Sequence, residues 1–183
     1  MRKSALLIAL FMSATFMTGF NMNAKINKLE EDEYTHFMAL RVYMDPPNAK
    51  GERKKDERKE YLKLKTRVER DQWLKDKGLW DKFYQYPPHI REKIADGAVQ
   101  LGWDKHMVYM SWGRPFKRQR VAGRQAYRSE RFTYRFEVRK DGAHQIWVRN
   151  SKDTYAAQKL YKRELIIDDD KVAELSGEIP AKW

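Results

Sequence analysis

The sequence predicts an α+β fold, with short helices packed on a small antiparallel sheet and an N-terminal helical extension. Three observations point there. Helix start and stop residues recur at close spacing between Thr66 and Gly97. From Arg131 to Arg139 aromatic and polar residues alternate, as in a strand with one buried face. Asp141-Gly142 follows at once, a dipeptide that favours a hairpin. A chain of 183 residues is room for one modest domain plus appendages.

Residues 1–24, "MRKSALLIALFMSATFMTGFNMNA", open with Arg2 and Lys3, run apolar from Ala5 to Met17, then turn small and polar. This is the layout of a secretory signal peptide, here expected to be cleaved after Ala24. The apolar run is shorter than the ~20 residues of a spanning helix. Because Met22-Asn23-Ala24 matches an A-x-A cleavage box only in part, a retained anchor stands as the alternative. Residues 25–60 are expected to form a charged helical arm or linker. "INKLEEDEYTHFMALRVYM" sets Leu29, Phe37, Leu40 and Val42 among acids, and Pro46-Pro47 ends any helix there. The run Glu52 to Glu60 has no apolar residue and reads as a solvated helix start or linker.

Residues 61–97 form a short-helix segment. Thr66 and Glu69 make a capping box, Trp73 and Leu74 supply an apolar face, and Gly78 closes the helix. A second helix carries Leu79, Trp80, Phe83 and Tyr84 and stops before Pro87-Pro88. A third holds Ile90 and Ile94 and ends at Gly97. Helices this short need a surface to pack on.

Residues 98–177 are expected to supply it. In "GWDKHMVYMSWGRP", Asp104 caps a helix over Lys105 to Trp112, Gly113 ends it in the left-handed conformation, and Pro115 prevents its resumption. Met107, Val108, Ser111 and Trp112 share one side, with Trp103 a turn ahead, so the helix reads as a plug for the aromatic face of the sheet. That face is Phe132, Tyr134, Phe136 and Val138. A type I′ turn at Asp141-Gly142 leads into "AHQIWVRN" as the returning strand, and "SKDTYAAQ" is a loop. Lys159 to Ile167 is the next strand, "DDD" a turn and "KVAEL" the last strand, before a loose tail over 178–183.

The stretch "IADGAVQLGWDKHMVYMSWGRP" also resembles the signature of the SmpA/OmlA (BamE-like) family. Gly102, Trp103, Asp104, Val108, Trp112, Gly113 and Pro115 take its helix positions, while Phe132 with Tyr134, and "ELIIDDDKV", take its strand positions. The resemblance spans about residues 90–175. It implies a compact ααβββ layer, a fold shared with beta-lactamase inhibitory protein repeats, and a place at the outer membrane in barrel assembly. The "DGAHQIWV" strand and the charged arm are additions to that pattern. The chain also lacks the cysteine that lipoprotein members carry, so it is expected to be exported without lipidation.

Chemistry-bearing motifs are sparse. With no cysteine there is no disulfide, thiolate metal site or cysteine nucleophile. His36, His89, His106 and His144 lie in separate segments and read as solvated or capping side chains rather than zinc ligands. There is no G-x-S-x-G and no P-loop, and Ser111 has no evident base. Asp168, Asp169 and Asp170 read as an acidic turn in preference to a cation site. The expectation is a protein that is not an enzyme and uses no cofactor or metal.

The best functional feature is basic. The chain carries 38 Lys+Arg against 26 Asp+Glu, a balance that speaks to partners rather than to fold. Between Arg114 and Arg131 lie Arg114, Lys117, Arg118, Arg120, Arg124, Arg128 and Arg131, with Phe116 and Tyr127 interleaved and Glu130 the one acid. In strand geometry Arg118, Arg120, Arg124 and Arg128 tend to one face. Three readings stand: an edge strand protected by charge, a polyanion contact, or a protein interface. The leading expectation is a periplasmic or outer-membrane-associated accessory protein that binds an envelope protein during outer-membrane assembly or maintenance. The alternative is a module for lipopolysaccharide, anionic phospholipid or peptidoglycan. Nucleic acid is disfavoured for an exported chain, although charge and aromatics permit it.

Overall fold

The computed structural model describes residues 21–44, 56–147 and 159–180. The apolar segment of the expected export signal, the Pro46-Pro47 break and the "SKDTYAAQ" loop lie outside the described residues. The fold is α+β: among the described residues, seven helices and a six-stranded antiparallel sheet.

The N-terminal segment forms α1 (Met22–Ile26) and α2 (Glu31–Met44), broken at Asn27. The stripe Glu33, His36, Phe37, Leu40 and Met44 is buried, at the three- and four-residue steps of one helix face. Phe37, Leu40 and Met44 of the expected arm therefore sit in the same core cluster as Phe132 and Tyr134, with Leu29 packed against it. Next come α3 (Glu57–Lys63), α4 (Arg67–Asp76), α5 (Trp80–Tyr84) and α6 (Pro88–Ala95). The Thr66–Glu69 capping box is present in both directions. Leu79 donates its amide to the Leu74 carbonyl at 2.8 Å, the long-range bond of a Schellman end around Gly78.

Helix α7 (Lys105–Trp112) is the expected plug. Asp104 Oδ1 accepts the Met107 amide at 2.9 Å, while its Oδ2 accepts the Tyr86 hydroxyl at 2.7 Å. Tyr109 stacks on Phe132, and Trp112 meets Tyr134 and Phe136 edge to face. Met110 is also buried, because the opposite side of α7 is covered by α2 and α6. Gly113 ends the helix at φ 73° with an extended ψ of −160°, which differs from the left-handed helical conformation expected. Tyr134 donates its hydroxyl to the Gly113 carbonyl at 3.0 Å. The Trp112 indole N–H reaches the Gly97 carbonyl at 2.8 Å, and Gly97 itself has φ +71°. A β-carbon at Gly97 would strain that backbone, while meeting the indole only at an ordinary contact distance of 3.6 Å.

The sheet consists of β1 (Lys117–Arg120), β2 (Ser129–Val138), β3 (His144–Ile146), β4 (Lys159–Asp168), β5 (Lys171–Leu175) and β6 (Ile179–Pro180). Its order is β1-β2-β4-β5, with β3 pairing β2 and β6 pairing β4. The expected loose tail thus contributes a two-residue strand, registered as Tyr161↔Pro180 and Lys162↔Ile179. Two turns trade roles. At Asp141-Gly142 only Gly142 has positive φ, and Gly142 donates to the Arg139 carbonyl while Arg139 donates to Ala143. This is a longer hairpin loop with glycine at the bulge position, not the type I′ turn expected. The two-residue turn with both φ positive is Asp169-Asp170, at 46° and 66°. Asp tolerates that region better than most side chains.

Phe37→Ala is expected to lower global stability by about 3–5 kcal/mol while leaving one cooperative unfolding transition. Calorimetry with near-ultraviolet dichroism checks this. A separate early transition with the sheet signal intact would show that α2 is an independent arm.

Candidate functional site

The site is built on β1, an edge strand whose four residues are all exposed. Its other side pairs with β2 in the register Lys117↔Thr133, Arg118↔Phe132, Gln119↔Arg131 and Arg120↔Glu130. Residues opposite one another share a face, so Arg118 and Arg120 lie on the helix-covered face with Phe132 and Glu130. Lys117 and Gln119 lie on the outer face. Just ahead of the strand, Phe116 is 44% exposed, and Arg135 sits 3.5 Å from its ring centroid.

The seven basic residues divide. Arg118 Nε donates to Glu130 Oε1 at 2.7 Å, and Arg128 Nη2 donates to the same oxygen at 3.2 Å. Arg124 crosses to the outer face, where it grips Asp168 with Nε and Nη2 and Glu174 with Nη1 at 2.6 Å. Arg131 approaches Glu164 at 3.8 Å. Arg114, Lys117 and Arg120 are exposed and carry no ion pair with a described residue. The shared face expected for Arg118, Arg120, Arg124 and Arg128 is formed only in part: Arg118 and Arg128 converge on Glu130 beside Arg120, and Arg124 leaves that face. The strand stops at Arg120, and the loop that follows delivers Arg124 to the opposite side.

Electrostatics follow this division. Burial pushes the Glu130 carboxyl up, but Arg118 and Arg128 more than offset it and hold the group below the usual carboxylate range. The hydrogen bond from Arg124, then that from Ser129, holds Asp168 low. The acidic turn is fully engaged: Asp169 accepts the Arg128 amide at 2.9 Å and Asp170 pairs with Lys105. Ser111 donates its hydroxyl to the Ile94 carbonyl at 2.9 Å, beside a shallow groove of about 180 Å³ between α2, α6 and α7.

One histidine departs from expectation: His89, His106 and His144 are exposed, as a solvated reading requires, but His36 is not. His36 is fully buried, with Nδ1 2.9 Å from the Tyr84 hydroxyl and Nε2 3.0 Å from that of Tyr61. A neutral imidazole has one donor and one acceptor, so one tyrosine accepts and the other donates. His106 meets Tyr43 at 2.9 Å and His144 meets Tyr161 at 2.8 Å. Beside His36 lies the buried Glu33–Arg70 pair, at 2.7 and 2.9 Å. Sequence reasoning missed this cluster. Its one signal was that Glu33 and His36 occupy the same helical stripe as Phe37, Leu40 and Met44.

Set against family models, curated proteins and solved structures, the chain matches none.

Burial lowers the His36 pKa below its ordinary 6.5, although Asp71 and Glu33 pull the other way. The unfolded chain then binds the extra proton first, so this contribution to stability is full above pH 6.5 and is lost as the pH falls below it. Denaturant titrations from pH 8 to 5 are expected to show that decline. The slope contributed by one group is at most about 1.4 kcal/mol per pH unit. His36→Gln, which keeps one donor and one acceptor, is expected to flatten it.

Proposed function

We propose that this protein is a non-enzymatic envelope component that binds another protein through its basic β1 edge, as an accessory in outer-membrane assembly or maintenance. The observation that carries the reading is a fully exposed edge strand on which Lys117 and Arg120, with Arg114 just ahead, have no ion pair to a described residue while their neighbours are paired. Exposed ion pairs contribute only about 0–1 kcal/mol each, so stability does not require so many arginines on this rim. Arginine beside an exposed aromatic is a composition enriched at protein interfaces.

Two features of the chain support the envelope setting. One is the export signal read in residues 1–24. The other is the order α6, α7, then the meander of β2, β4 and β5, which is the ααβββ order implied by the SmpA/OmlA resemblance. In this reading β1 and β3 are additions that extend one rim of that layer. The polyanion alternative is weakened by the internal pairing of Arg118, Arg124 and Arg128, which leaves few charges to meet a polymer.

A photo-crosslinker at Gln119 in the native cell tests the reading. The expected result is a discrete protein adduct in the envelope fraction. Its yield should be unchanged when isolated envelopes are irradiated in about 0.5 M salt, where screening falls to a few ångströms. Lys117→Glu with Arg120→Glu is expected to reduce its yield at least about tenfold. Adducts confined to lipid or wall material, and lost when irradiation is done at that salt, would install the polyanion reading instead. A cytoplasmic protein that retains Met1 would remove the envelope setting.

A further inference from the structure

We infer that β1 is a strand-addition edge whose occupant is an extended acidic segment of another protein, with two carboxylates three residues apart. The inference rests on the reading above that this edge binds a protein, and it specifies how.

Backbone geometry comes first. Val121 donates to the Ser129 carbonyl at 2.9 Å, which makes that pair a hydrogen-bonded one. Antiparallel ladders alternate bonded and non-bonded pairs. Gln119 and Lys117 therefore exchange bonds with Arg131 and Thr133, and Arg118 and Arg120 turn their N–H and C=O outward. All four residues are exposed, and no other described segment hydrogen-bonds those groups. The opposite rim is treated differently. There Gly102 donates to Val172, Val172 to Trp103 and Lys105 to Asp170, each at 2.8 Å, so the lead-in to α7 seals β5. The start of β5 is thus covered by the chain itself, whereas no described segment pairs with the outer side of β1.

Side chains then select the occupant. A second copy is disfavoured, because antiparallel pairing of two Lys-Arg-Gln-Arg strands puts cation opposite cation, and like charges directly opposed destabilise a sheet. The same charges favour an acidic strand. Arg118 is already satisfied by Glu130, whereas Lys117 and Arg120 have no ion pair with a described residue. These two are three residues apart and lie on opposite faces of the sheet. In either strand direction, the acids that meet them must also be three apart, one on each face. A helical partner would place such acids on a single side, so the spacing itself favours an extended occupant.

The test uses the full chain and a blocked eight-residue peptide of threonine and valine, with glutamate at its third and sixth positions. A control peptide has identical side chains and alternate backbone nitrogens methylated, which keeps the charge and removes the ladder donors. The first peptide is expected to bind and to slow amide exchange at Arg118 and Arg120 more than tenfold, with Gln119 unchanged. The methylated peptide is expected to bind at least about tenfold more weakly. Arg120→Pro removes an outward N–H that β2 does not use, and is expected to bind about 3- to 10-fold more weakly than Arg120→Ala, the effect of one lost hydrogen bond. Equal binding of the two peptides, absence of binding at millimolar concentration, or protection elsewhere than Arg118 and Arg120 would overturn strand addition. If the Gln119 probe still captures a protein in cells, the interface reading survives that failure; if it captures none, both fall.

Discussion

Helix α7 has to satisfy two surfaces at once, and the remaining elements are placed by how it does so. At eight residues it spans roughly 12 Å and would not persist alone. It is held because both ends are tied to other elements: Asp104 links its first turn to Tyr86, and the Trp112 indole is anchored on the Gly97 carbonyl. Between those ties, Tyr109 and Trp112 key into the aromatic face of β2 while Met110 faces the layer formed by α2 and α6. The indole is both a packing surface and a donor. It therefore sets the distance between the helical layer and the sheet as well as their attraction.

The charge distribution follows a second constraint. A chain that is 35% charged cannot bury much of that charge, yet several carboxylates lie at the margins of the core. Glu33 and Glu130 are both nearly inaccessible, and each is met by arginine: Arg70 in one case, Arg118 and Arg128 in the other. Burying a carboxylate is costly unless it is paired and hydrogen-bonded. The arginines of the basic stretch are thus of two kinds. Some complete the fold by neutralising Glu130 and Asp168, and what is left over defines the exposed rim.

Much of the fold was legible because its signals are local. The capping box, the helix ends at Gly78 and Gly97, the alternation of β2 and the α7 plug all reside in a few adjacent residues. What escaped depends on partners far apart in the chain. His36 finds Tyr84 across 48 residues and Arg124 finds Asp168 across 44, and no window of sequence contains both members. The turn at Asp141-Gly142 was misjudged for a related reason. The dipeptide is compatible with two hairpin geometries, and the pairing of Arg139 with Ala143 chooses the longer. For the candidate site, composition located the stretch between Arg114 and Arg131. Only the register of β1 on β2 separates the cations that face outward from those already satisfied.

The contact of α2 with α7 and α6 also has a consequence for biogenesis. α2 is made early, and Phe37 meets Tyr61 of α3 soon after, but α7, which α2 contacts most, comes some 60 residues later and the sheet later still. Contacts so distant in the chain must pay loop-closure entropy before they return any stability, which slows folding. During synthesis the emerging segment shows an apolar stripe of which α3 covers only a part. Such a chain is exposed to aggregation until β4 has emerged. The acids Glu30, Glu31, Asp32 and Glu33 at the start of that stripe would then keep nascent copies apart by repulsion, before Arg67 and Arg70 arrive to neutralise three of them.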